Sequence, residues 1–146
     1  MKKILLLILS IFMLTACKQD KFYLEDKYYE NNEIIDTTHV QIDELFTNKE
    51  SFVAIVYLPG CTSCVEFRKV VDQFRETNNI VFYNISIEEE KQTELSNKIK
   101  YAPSAVIVKE GKIIDYLDTT KNEHIPYYET KEGFTSWLEQ YIYLQK

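Results

Sequence analysis

Phe52-Val53-Ala54-Ile55-Val56-Tyr57-Leu58-Pro59-Gly60-Cys61-Thr62-Ser63-Cys64 is the stretch that decides the fold. Seven apolar residues without a charge, rich in β-branched and aromatic side chains, suit a strand covered on both faces, as in the middle of a parallel sheet. Pro59-Gly60 ends the strand, and a helix is expected from the first cysteine onward. Phe67, Val70, Val71 and Phe74 recur at spacings of three and four, which makes one apolar stripe to lie on the sheet. Two thiols at i and i+3 in a first helical turn lie within reach of each other, and the free backbone N–H groups of that helix end favour a thiolate. The placement points to redox chemistry.

Downstream, Ile80 to Ile87 is strongly β-prone and completes a right-handed strand-helix-strand unit. Glu88 to Lys100 is polar, with Leu95 and Ile99 four apart, and reads as a surface helix whose charges form a solvated face. Ala105 to Val108 and Ile113 to Leu117 make a hairpin about Lys109-Glu110-Gly111-Lys112, with Gly111 supplying positive φ. Asp118 to Lys131 looks like a surface excursion, in which Tyr127-Tyr128 is a candidate peptide-contact pair. Phe134, Trp137, Leu138, Tyr141 and Ile142 mark a final amphipathic helix. Upstream, Thr38 to Ile42 alternates and is expected to be an edge strand, and Asp43 to Phe46 a short helix capped by Asp43.

The N-terminus carries a separate message. Lys2 and Lys3 precede an apolar run from Ile4 to Leu14, interrupted only by Ser10, and then Leu14-Thr15-Ala16-Cys17. This resembles a bacterial lipoprotein signal, in which the peptide is cut before a cysteine that is then acylated. The run falls short of the roughly 20 apolar residues of a transmembrane helix. An uncleaved anchor, or a chance cysteine after an ordinary signal peptide, is the alternative, and both leave the domain outside the cytoplasm. The layout is then residues 1–16 as signal peptide, 17–37 as lipid-anchored tether and 38–146 as one domain. A hydrophobic content of 45% in 146 residues is enough for one core. The charge is −6; without Lys2 and Lys3 the 23 acidic residues outweigh the remaining basic ones by 8. No cluster of Lys and Arg stands outside the extreme N-terminus, which argues against a nucleic-acid partner. With Cys17 acylated, only Cys61 and Cys64 remain of three cysteines. A pair closing so small a loop stabilises little, so a working disulfide is the better reading.

Strand, Cys-x-x-Cys helix, strand, helix, proline, hairpin and final helix resemble the thioredoxin-like superfamily over roughly Thr38 to Leu144: an α/β fold with a central mixed sheet flanked by helices. Within it, Pro59-Gly60-Cys61-Thr62-Ser63-Cys64, the export signal and the Trp137-Leu138 helix are similar to bacteriocin transport accessory proteins and related exported lipoproteins. The resemblance implies a cis bond before Pro103, packed against the disulfide. It implies Cys61 as the attacking sulfur and Cys64 as the resolving one, with Gly60, Thr62, Ser63, Ala102 and Pro103 shaping a substrate groove. Secreted proteins or peptides are the implied substrates, with a membrane redox partner to recycle the dithiol, and no cofactor. The chain departs from the family pattern in having Gly60 where tryptophan is usual. It also has Ile55 where a buried aspartate is usual and, by counting, about Phe82 at the place of a helper lysine. Thr62-Ser63 replaces Gly-Pro and offers two hydroxyls to a thiolate. A zinc site would need two ligands besides the cysteines, and His39 and His124 lack paired spacing. Glu66 reads as a solvated carboxylate. A non-catalytic accessory or immunity module that holds a peptide is the alternative function.

Overall fold

The computed structural model describes residues 20–145. The signal-peptide reading and Cys17 lie outside the described residues. A five-stranded sheet runs in the order β1 (Ile34–Asp36), β3 (Phe82–Ser86), β2 (Phe52–Tyr57), β4 (Ser104–Lys109), β5 (Lys112–Tyr116). β1, β3 and β2 are parallel, and β4 and β5 join antiparallel. β2 is central and Phe52 through Val56 are buried, as its uncharged apolar run requires. The helices are α1 (His39–Thr47), α2 (Thr62–Arg75), α3 (Ile87–Glu90), α4 (Ile125–Glu129) and α5 (Lys131–Leu138).

α2 and α5 cover one face. Phe67 and Phe74 on α2 and Phe82 on β3 meet Phe134 on α5 in an aromatic cluster, with Phe74 edge-on to Phe82 at 5.8 Å and to Phe134 at 5.5 Å between ring centroids. Such contacts add about 0.5–1.5 kcal/mol each to the burial of the rings. α1 covers the other face, where Phe52 is held edge-on between Phe46 and Tyr83. The hairpin turn has positive φ at both Glu110 and Gly111, and a Cβ on Gly111 would stand 2.8 Å from the Phe46 carbonyl oxygen.

Four expectations are corrected. Thr38 to Ile42 is not a strand; it caps and opens α1. The Thr38 N–H donates to Gln41 Oε1 at 3.0 Å and the His39 N–H to Glu89 Oε2 at 2.9 Å, so two backbone donors at the helix start are satisfied, while Ile42, Leu45 and Phe46 turn one face inward. The segment read as a tether folds: Phe22, Leu24 and Tyr28 are buried, Asp26–Tyr28 is a 3-10 turn and Ile34–Asp36 is a strand. The folded body therefore reaches back at least to Phe22, well ahead of Thr38. Glu88 to Lys100 is not one helix. Thr93 Oγ1 donates to the Glu90 carbonyl at 2.8 Å and accepts the Leu95 N–H at 3.1 Å, which ends α3 and starts a 3-10 turn, Glu94–Asn97. The excursion between residues 118 and 131 contains α4, and the last helix stops at Leu138, after which Ile142 bridges to Phe22.

Candidate active site

Cys61 is the N-cap of α2 and Cys64 lies in its first turn; the two are joined as a disulfide with their Cα atoms 5.3 Å apart. The Cys64 N–H donates to Cys61 Sγ at 3.1 Å, so the outer sulfur occupies the place of the capping oxygen and faces the free donors of the helix end. The Ser63 hydroxyl lies 3.1 Å from the same sulfur. Cys64 is buried at 9% exposure, and its sulfur accepts the Leu58 N–H at 3.5 Å, whereas Cys61 is only partly covered. One sulfur is presented and the other is withheld. Gly60, at φ +78°, makes the turn that delivers the pair from β2 to α2.

The Ala102–Pro103 peptide bond is cis, and Pro103 is buried directly before β4. An open cavity of about 500 Å3 is lined by Gly60, Cys61, Cys64 and Pro103 together with Asp36 and Asn84. A second, of about 570 Å3, lies across α2 and is lined by Ser63, Pro103, Ile125 and Tyr128. Of the residues expected in the groove, Thr62 is exposed on the first turn and Ala102 is partly covered; neither lines these two cavities.

Two residues of the site, Asp36 and Asn84, escaped the sequence. Asp36, Asn84 and Ile55 stand in one cross-strand row, because Asp36 pairs with Asn84 and Asn84 with Ile55. Residues directly opposite across a sheet share a face, so the neighbour of Ile55 on β3 is Asn84, and Phe82 pairs instead with Val53. Counting along the chain places Phe82 at that position; the register moves it by two residues. Asn84 is buried and donates from Nδ2 to Asp36 Oδ1 at 2.6 Å, which aims a carboxylate along the wall of the dithiol cavity. Tyr128 is half-buried on the wall of the second cavity. Its hydroxyl donates to the Pro103 carbonyl at 3.0 Å and its ring packs on Phe67 at 4.9 Å, which ties the proline loop to α2. Burial raises its phenol well above the ordinary value, so it remains a donor at all working pH.

Glu66 is exposed and pairs with Lys69 at 2.8 Å, a solvated ion pair on the outer face of α2. His39 pairs with Glu89 at 2.6 Å, and His124 Nδ1 accepts the Asp118 N–H at 2.9 Å, both remote in role from the sulfurs. Among the described residues no group of three or more His, Cys, Asp or Glu side chains is arranged to hold a metal ion.

No protein-family model matches the chain. Solved structures do. A mutant thioredoxin from Halobacterium salinarum NRC-1 superposes with a TM-score of 0.59 at 15% identity, covering 79% of this chain and 96% of that one. Thioredoxin from Malassezia sympodialis gives 0.57 at 17% identity over 75% and 90% of the two chains. Oxidised thioredoxin from Plasmodium falciparum gives 0.56 at 14% identity over 74% and 97%. The fold is thioredoxin-like. In this thioredoxin-like fold the disulfide stands at the carboxyl end of the central strand, where open α/β sheets place their ligands.

Proposed function

We propose that the chain is a thiol-disulfide oxidoreductase, exported and held to the outer side of the bacterial membrane through Cys17, acting on secreted proteins or peptides. The observation that carries the reaction is the inequality of the two sulfurs: Cys61 partly open at a helix N-terminus, Cys64 buried beneath it, and Pro103 lining the same cavity. In the reducing direction the Cys61 thiolate attacks one sulfur of a substrate disulfide. The substrate S–S bond breaks, a mixed disulfide forms, and the first substrate thiolate departs and takes a proton from water. Cys64 then loses its proton, and its thiolate attacks Cys61 Sγ. That closes the Cys61–Cys64 disulfide and releases the second substrate thiolate, so two electrons have passed to the substrate. The reverse sequence oxidises a substrate dithiol.

Asp36 is the carboxylate on the cavity wall, and Asn84 positions it; through water admitted to the open cavity it takes the proton that Cys64 must lose. The chain before Pro103 receives an extended substrate segment by backbone pairing. The signal-like N-terminus supports export and acylation, and its combination with Pro59-Gly60-Cys61 supports kinship with bacteriocin transport accessory lipoproteins.

The test is Cys64→Ser, which removes the resolving thiol. Incubated with a disulfide-containing peptide or isolated from cells, this variant should accumulate Cys61-linked mixed disulfides that a thiol reductant releases. If it captures nothing, the exchange reading gives way to a peptide-holding accessory or immunity module.

A further inference from the structure

The N-terminal segment enters the fold at the pole opposite the disulfide. The Phe22 N–H donates to the Tyr141 carbonyl at 2.9 Å, and the Tyr143 N–H donates to the Phe22 carbonyl at 3.0 Å. Lys109 Nζ lies 5.0 Å from the centre of the Phe22 ring. Lys109 is the last residue of β4, beside Val108, which pairs with Phe52 at the start of β2. Cys61 follows the other end of β2. The far end of α2 agrees: Thr77, just past it, shares a small cavity with Leu144. Phe22 and Cys61 are thus separated by the length of α2, whose 14 residues span about 21 Å at 1.5 Å per residue.

We infer that the anchored protein presents its disulfide away from the lipid, and that its exchange partner is a thiol or disulfide on a secreted polypeptide or on a domain projecting well into the aqueous phase. This rests on the proposed acylation of Cys17. Five residue steps separate Cys17 from Phe22 and reach at most about 18 Å when fully extended. To bring Cys61 down to the bilayer the chain would have to run back beside a body longer than that, so the inverted orientation is out of reach. Had residues 17–37 been a free tether, twenty steps of about 3.5 Å would have allowed either orientation; the burial of Phe22 and Leu24 removes that freedom. A thiol lying at the lipid surface is therefore excluded as a partner.

The experiment uses the full acylated chain in vesicles of anionic phospholipid whose headgroups carry an energy acceptor. A donor dye is placed on Cys61 in the Cys64→Ser variant. In a second protein it is placed at the anchored pole by Lys112→Cys in a Cys61→Ser, Cys64→Ser background. Transfer from position 112 should exceed transfer from Cys61 several-fold, and inserting twenty Gly/Ser residues between Asp20 and Lys21 should narrow the gap. Equal or stronger transfer from Cys61, or no response to the insertion, overturns the orientation. A chain that fails to float with the vesicles removes the anchor, sinking the acylation reading and this proposal together while leaving the Cys64→Ser trapping result as it stands.

Discussion

Asp36 and Asn84 bring a carboxylate to the wall of the dithiol cavity from a register position that counting along the chain does not reveal. The pair was illegible because its meaning lies in register: Asp36 is 48 residues from Asn84, and neither stands in a motif. Cys61, Cys64 and Pro103, by contrast, could be read directly, since a strand-to-helix junction and a hairpin flank them. Replacing Asn84 with leucine releases the Asp36 carboxylate. Resolution of the mixed disulfide, followed by stopped flow, should slow severalfold below pH 8 and recover as rising pH ionises Cys64 unaided; a rate loss independent of pH would mean a packing defect instead. The tie from Tyr128 to the proline loop is not legible in the sequence, because the partner of its hydroxyl is 25 residues away. Tyr128→Phe keeps the ring on Phe67 and removes one hydrogen bond, so a stability loss of about 1 kcal/mol is expected in denaturant titration, with a larger fractional loss in peptide capture as the proline loop loosens.

At the scale of elements, the strands of the hairpin, the central strand and the dithiol helix follow from period and turn chemistry. The errors fall where caps and side-chain hydrogen bonds override a short pattern. Five alternating residues from Thr38 suggested a strand, yet Glu89, fifty residues on, accepts from the helix N-terminus and settles the matter. Glu90 also belongs to a stretch read as solvated, but it is 2% exposed and its Oε1 has no hydrogen-bond partner among the described residues. Burial pushes its carboxyl up to about 7, with Lys100 and Lys91 opposing only in part. The folded protein therefore holds a proton that the unfolded chain releases near pH 4.5, so stability falls as pH rises from there through about 7, and the loss is complete above it. Glu90→Gln should raise stability at pH 8 by on the order of 2 kcal/mol and change little at pH 4, as thermal unfolding across pH would show. Gly133 marks another contact that spacing does not reveal. A Cβ there would meet the Pro126 carbonyl oxygen at 2.0 Å, where α5 crosses α4. Gly133→Ala should therefore destabilise by about 1–3 kcal/mol despite the better helix propensity of alanine.

For the molecule as a whole, the thioredoxin-like architecture was legible from Thr38 onward, and the way residues 22–36 complete it was not. Phe22, Leu24, Tyr28 and Ile34 are too irregularly spaced to show a period, and their partners are distant: Ile142 for Phe22, Glu50 for the Tyr28 hydroxyl, Phe82 for Ile34. Phe22→Asp would bury a charge at the joint between the two ends of the chain. It should lower the unfolding midpoint by the equivalent of about 2 kcal/mol or more, and more at pH 7 than at pH 3. The chemistry depends on the unequal exposure of two sulfurs, and the relative alkylation rates of Cys61 and Cys64 in the fully reduced protein at pH 7, resolved by mass spectrometry of the digest, test that most directly. The structure predicts that Cys61 reacts at least about tenfold faster and that its rate is half-maximal below the usual thiol pKa near 8.5. Comparable rates at the two positions, or faster labelling of Cys64, would contradict it.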